Sequence, residues 1–212
     1  MLKSFKIGKR RIIGLIIGNI LLGIGVSLFK LSAMGNDPFS AMVMSVSSLL
    51  GLSYSTFLIL LNTGIFVLEI VFGRKYIGIG TFVNWFLVGY VAELFIWLTQ
   101  TYIATSEGFP GRLPFAVLGV VITGLGVSLY QTSDAGIAPF DSIALIMDER
   151  ISKLPYFWCR MICDGTSALI CLLTGGLIGF GTFLCAFCLG PVIHYFNVHL
   201  SQKMLYGEYK RA

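Results

Sequence analysis

The sequence predicts an all-α integral membrane protein made of two copies of one unit, each with three full spans and one re-entrant half-helix, the second copy inverted. Three observations carry this: an apolar composition, an ungapped internal repeat, and two apolar stretches too short to cross a bilayer. Hydrophobic residues make up 56% of the 212 residues and charged ones 12%, with a mean hydropathy of +0.86. Such a chain cannot clothe a soluble surface with polar groups. The net charge of +5 does not imply a nucleic-acid partner. Five basic residues (Lys3, Lys6, Lys9, Arg10, Arg11) precede the first apolar run, as in a cytoplasmic anchor that follows the positive-inside bias.

The repeat is in register throughout. GIGVSLF at 23–29 returns as GLGVSLY at 124–130, GNDPFS at 35–40 as GIAPFD at 136–141, and IGIGTF at 77–82 as IGFGTF at 178–183. The offset is 101 each time, and laying 14–98 over 115–199 gives 21 identities in 85 positions. The chain divides into a basic amino end (1–11), a first repeat (12–99), a linker (100–114), a second repeat (115–199) and a basic tail (200–212).

A bilayer core of about 30 Å needs roughly 20 helical residues. Six segments approach that length: 12–31, 55–72, 79–98, 115–130, 157–174 and 178–198. Glycines within them permit close helix approach. Two further stretches, 38–50 and 139–151, have 13 residues each and reach only about 20 Å. The second carries Asp141, Asp148, Glu149 and Arg150, at roughly 2.5–3.5 kcal/mol per charge at the centre of a lipid-exposed span. Both are therefore expected as re-entrant half-helices. Pro38 and Pro139 suit a first helical turn, where a missing N–H costs nothing, and Asp37 is placed to cap the first.

Three crossings per copy turn the second copy upside down. Inversion puts the amino end, Arg74 with Lys75, Arg150 with Lys153, and the tail (Lys203, Lys210, Arg211) in the cytoplasm. The rival arrangement is eight crossings with parallel copies.

Candidate solute-binding residues cluster at the paired GxxPF elements: Gly35, Asn36, Asp37, Pro38, Phe39 and Ser40 in the first, Gly136, Pro139, Phe140 and Asp141 in the second. Two half-helices entering from opposite faces bring their amino ends, with free N–H groups and partial positive charge, together near the midplane. The span after the half-helix in each copy adds Asn62 and, in the second, Arg160 and Asp164, one turn apart and spaced for an ion pair. Asp164 is a candidate proton carrier and Arg160 a candidate partner for an anionic solute group. Glu93 and its repeat partner His194 are weaker gating candidates, and Glu69 is expected at the cytoplasmic interface.

The five cysteines (Cys159, Cys163, Cys171, Cys185, Cys188) lie in apolar segments and read as small hydrophobes between helices. No metal site is expected, since His194 and His199 have no evident third ligand. The GxG patterns lie inside apolar spans with no strand before them, so no dinucleotide cofactor is expected. No nucleophile stands beside a base, which argues against an enzyme.

The duplicated GxxPF element, the short helix after it, the mid-span Asn62-Thr63-Gly64 and the pair Arg74-Lys75 resemble the bacterial YczE/YyaS/YitT family of membrane proteins. The resemblance extends over about 12–199 and implies a multi-pass protein of the bacterial cell membrane, without catalytic residues to carry over. Position 164, an aspartate where the first copy has Thr63, departs from the Asn-Thr-Gly pattern. The expected function is a small secondary transporter of a small polar or anionic solute, with its site between the repeats. The alternative is a non-transporting scaffold or accessory subunit. Lipid contact follows from composition, and a homodimer is compatible with the glycine-lined helices.

Overall fold

The computed structural model describes residues 8–102, 108–151 and 156–207. Lys3, Lys6, Lys153, Lys210 and Arg211 of the charge reading lie outside the described residues. Every regular element among the described residues is helical: α1 Lys9–Ser32, α2 Pro38–Leu49, α3 Tyr54–Phe72, α4 Ile79–Tyr102, α5 Phe109–Thr132, α6 Pro139–Arg150, α7 Tyr156–Leu173 and α8 Phe180–Phe196. A 3-10 turn, Arg74–Tyr76, precedes α4, and a π-helical turn, Asn197–Ser201, leads from α8 into α9 Gln202–Tyr206. Five stretches are long and apolar enough to cross a membrane: Lys9–Ser32, Tyr54–Phe72, Ile79–Thr99, Phe109–Thr132 and Phe180–Tyr206. The sixth expected span, 157–174, is helical as α7 but is not among these five. Large apolar side chains such as Ile13, Leu60, Val71, Trp97, Leu173 and Phe187 point outward, as a lipid-facing surface requires.

The two short helices have 12 residues each, a rise of about 18 Å. Both begin with proline in the first turn, but only α2 has a side-chain cap: Asp37 accepts from the Ser40 amide at 3.0 Å. The loops before them turn through Gly35 and Gly136, with φ of +99° and +121°, a region costly for any residue with a Cβ. Each loop is held by the start of a distant helix. Gly181 N donates to Met34 O at 2.6 Å, and Gly80 N donates to Ala135 O at 2.8 Å.

The spine of the bundle is the antiparallel pair α1 and α5. A Cβ on Gly18 would lie 2.7 Å from Gly126 O and 2.8 Å from Tyr130 N, while one on Gly126 would meet Gly18 O at 2.7 Å. Further along, Gly25 faces Thr123, and Phe29 covers Gly119. Only glycine lets these backbones touch.

Charged groups gather at one end of the bundle. Arg11 donates to Ser133 O at 2.6 Å and pairs with Asp134 at 3.2 Å. Lys75 pairs with Glu149, Tyr76 Oη donates to the same carboxylate, and the Arg150 guanidinium sits 4.6 Å from the centre of the Phe72 ring. Tyr206 Oη donates to Thr132 O at 3.0 Å. Hydrogen bonds from Lys75 and then Tyr76 hold the Glu149 carboxyl below its ordinary value.

Glu69, expected at the interface near the end of α3, turns inward. It is fully buried on the face of α3 that also carries Asn62, and neither carboxyl oxygen has a hydrogen-bond partner within contact distance. Residues 58, 62, 65 and 69 form one inward stripe at helical spacing, and that periodicity sets the direction of Glu69.

Candidate central cavity

The first turns of α2 and α6 meet inside the bundle. The Phe39 and Phe140 rings stack with centroids 3.9 Å apart and planes 16° from parallel. Beside them a cavity of about 450 Å³ opens, walled by the amino ends of α2 and α6 and by side chains from α1, α3, α4, α5, α7 and α8. Asp37, Pro38, Phe39, Ser40, Asn62, Phe140, Asp141, Arg160 and Asp164, all named from sequence, line it. Such a volume falls within roughly the 300–1,000 Å³ range of small-molecule sites.

The ionic centre of the cavity is larger than the helical pair read from sequence. Arg160 Nε donates to Asp164 Oδ2 at 3.1 Å, one turn along α7, and Nη1 donates to Asp141 Oδ1 at 2.6 Å on α6. The same guanidinium lies 5.4 Å from the centre of the Phe140 ring. Tyr130, at the end of α5, donates its hydroxyl to Asp141 Oδ2. A guanidinium with its fork occupied by two carboxylates is a poor receptor for a further anion. Asp37 enters no ion pair among the described residues, and its carboxylate accepts the helix-capping amide.

Asn62, Asp164 and Thr123 border the cavity and each hold an oxygen with no hydrogen-bond partner and almost no accessible surface, the Thr123 hydroxyl packing against Gly25 between α1 and α5. Asn62 and Thr123 are each only 3% exposed. Burying an unpaired acceptor costs about 1–3 kcal/mol.

The remaining sequence candidates lie elsewhere. Gly35 and Asn36 line a second cavity of about 470 Å³, together with Lys30, Ser45, Ser48 and Thr174. The first turn of α2 thus stands between the two cavities. Asn36 is tied down, donating to Val26 O at 3.3 Å and accepting from the Asp37 amide at 2.8 Å. Gly136 and Pro139 shape the second loop without lining either cavity. Glu93 binds the Ser55 amide and hydroxyl, both at 2.8 Å, and so fastens the start of α3 to α4. His194 is exposed on α8, and neither Glu93 nor His194 lines the central cavity. Tyr130, Tyr54, Asn84 and Thr123 also line the cavity, and nothing local in the sequence marks them. Among the described residues no group of three His, Cys, Asp or Glu side chains converges as metal ligands.

A model of a family of unknown function, DUF6198, matches residues 9–198. The chain belongs to this family. The DUF6198 match takes in the whole of α1 to α8 and ends within the π-helical turn that follows. Two relatives bear out the resemblance read from the motifs. The uncharacterised membrane protein YczE of Bacillus subtilis (strain 168) is 28% identical over 196 residues, covering 92% of this chain and 89% of the relative. The uncharacterised protein YyaS of the same strain is 24% identical over 180 residues, covering 85% and 89%. An uncharacterised protein of Haemophilus influenzae (strain ATCC 51907 / DSM 11121 / KW20 / Rd) is 26% identical over 178 residues, covering 83% and 78%. No solved structure matches. This DUF6198 chain is a multi-pass membrane protein.

Proposed function

We propose that this chain is a small secondary transporter of the bacterial inner membrane, with both termini cytoplasmic, that carries a small polar solute through the central cavity. One observation carries the reading: the tips of two short helices meet at a cavity of about 450 Å³ whose wall carries Asp37, Asp141, Asp164 and Arg160. Non-helical backbone at membrane depth is tolerated where it is buried in protein or lines a cavity, and transporters place their sites at such helix tips.

An inverted repeat supports the same reading. The prolines that begin α2 and α6 are 101 residues apart, as are the first turns of α4 and α8. The hydrogen bonds Gly181 N to Met34 O and Gly80 N to Ala135 O are related by that offset, and α1 runs antiparallel to α5. In this reading each half holds the other's loop, and rocking one half against the other opens the cavity alternately.

The test is a thermal-stability screen of the detergent-solubilised protein against a metabolite library, beside Asp164→Asn. A ligand at a hundred times its dissociation constant stabilises by about 2.7 kcal/mol. The expected result is a solute class that stabilises the parent and is lost in the variant. Silence across the library, with one stoichiometric protein partner recovered by crosslinking, would replace the transporter with the scaffold reading.

A further inference from the structure

The chemistry of the cavity wall narrows the class of solute. It carries three carboxyl groups, Asp37, Asp141 and Asp164, against one guanidinium, Arg160. Arg160 binds Asp141 and Asp164, and Tyr130 adds a neutral donor to Asp141. Asp37 makes no contact ion pair among the described residues, and Arg160 acts on it only across a longer distance. Asn62 Oδ1 and Asp164 Oδ1, two acceptors without a hydrogen-bond partner, lie just behind the cavity surface. A wall rich in acceptors and short of positive charge is satisfied by a ligand that brings N–H donors and a positive charge, because an unpaired carboxylate in a low-dielectric site is costly. Phe39, Phe140 and Tyr54 add ring surface, against which a cation also gains.

We propose that the central cavity binds a small organic cation bearing N–H donors, an ammonium or guanidinium, with Asp37 as its counter-charge and Asn62 among its hydrogen-bond acceptors. The inference rests on the central cavity being a solute site and adds the sign and donor character of the solute. An anionic solute is disfavoured by the same geometry, since Arg160 already serves two carboxylates.

The experiment uses the full chain in lipid nanodiscs and three probes of one size and different charge: n-butylammonium, butyramide and butyrate. Methylguanidinium is a fourth probe, and sodium chloride controls for ionic strength. Equilibrium binding is followed by calorimetry for the parent, for Asp37→Asn and for Asn62→Leu. Asparagine caps a helix as well as aspartate does, so Asp37→Asn keeps α2 intact while removing the charge. The expected result is saturable binding of the two cations only, weakened at least tenfold by Asp37→Asn and abolished by Asn62→Leu. Binding of butyrate or butyramide, abolished by Asn62→Leu, would overturn the cationic class and leave the solute site standing. Cation binding that neither variant changes places the ligand elsewhere and overturns the proposal. Absence of binding by all four probes overturns it as well, and the metabolite screen then decides the solute site on its own.

Discussion

The two half-helix tips share a backbone and divide the chemistry. In the first, GNDPFS, the carboxylate stands at the cap: Asp37 accepts the Ser40 amide and meets no cation among the described residues. In the second, GIAPFD, the cap is Ala138, which offers no side chain, and the carboxylate has moved three residues into the helix as Asp141. There it reaches Arg160 and Tyr130. One tip therefore spends its charge on the ionic framework of the cavity, and the other keeps its charge open. Two tips alike in proline, phenylalanine and glycine thus differ in chemistry through the placing of one carboxylate within one turn.

The largest break in this comparison comes from the framework side. Arg160→Met leaves the half-buried Asp141 and Asp164 without their cation and is expected to destabilise by up to about 3 kcal/mol, the low end of the range for fully buried pairs, measured by denaturant unfolding in detergent. The triple change Arg160→Met, Asp141→Asn, Asp164→Asn is expected to recover much of that loss. If Arg160→Met unfolds like the parent, the ion pairs do not hold the second tip.

The loops come next. Ala at Gly136 places a Cβ within 2.7 Å of Gly78 backbone atoms, which cannot yield, whereas Ala at Gly35 meets first the Thr182 hydroxyl at 2.4 Å and then the Gly179 amide at 2.8 Å. Both positions have positive φ, so each substitution is expected to cost of order 1–3 kcal/mol. Gly136→Ala is expected to cost the more, and equal costs in paired melts would remove the distinction.

The cap gives a smaller effect. Asp37→Ala is expected to lower stability by about 0.5–2 kcal/mol, and Ala138→Asp, which supplies the cap the second tip lacks, to raise it by a similar or smaller amount. The smallest effect lies outside the cavity, at Glu149. Its folded carboxyl is held below the ordinary value of 4.5, so the stabilisation is fully present above the unfolded value and is lost as pH falls through the folded one. Both partners are partly exposed, which limits the effect to less than about 1 kcal/mol. Glu149→Gln should remove that part of the stability loss below about pH 4.5, seen as a flatter profile of melting temperature against pH.

The helices and their ends were legible because their signals are local. Proline at the first turn, Asp37 three residues before Ser40, and the spacing of Arg160 and Asp164 each act within one turn of helix. What joins distant turns was not legible. Asp141 reaches Arg160 across 19 residues of sequence, and nothing in the spacing separates that partner from solvent. Glu93, a gating candidate from its match to His194, accepts from the Ser55 amide and hydroxyl, a contact set by how α3 and α4 pack. Glu69 looked interfacial near its helix end, but the stripe it shares with Leu58, Asn62 and Ile65 turns it inward. Helical phase outweighed distance from the end.

The central claim is that the cavity between the two tips opens alternately to the two faces of the membrane. The most direct measurement places one cysteine at Ser40, which lines that cavity, in a chain with its five natural cysteines replaced. A membrane-impermeant thiol reagent is then applied to right-side-out and to inverted vesicles. Labelling from both sides, with the rates shifted in opposite directions by a stabilising solute, is the predicted result. Labelling from one side only, or from neither, under every solute tried contradicts the account.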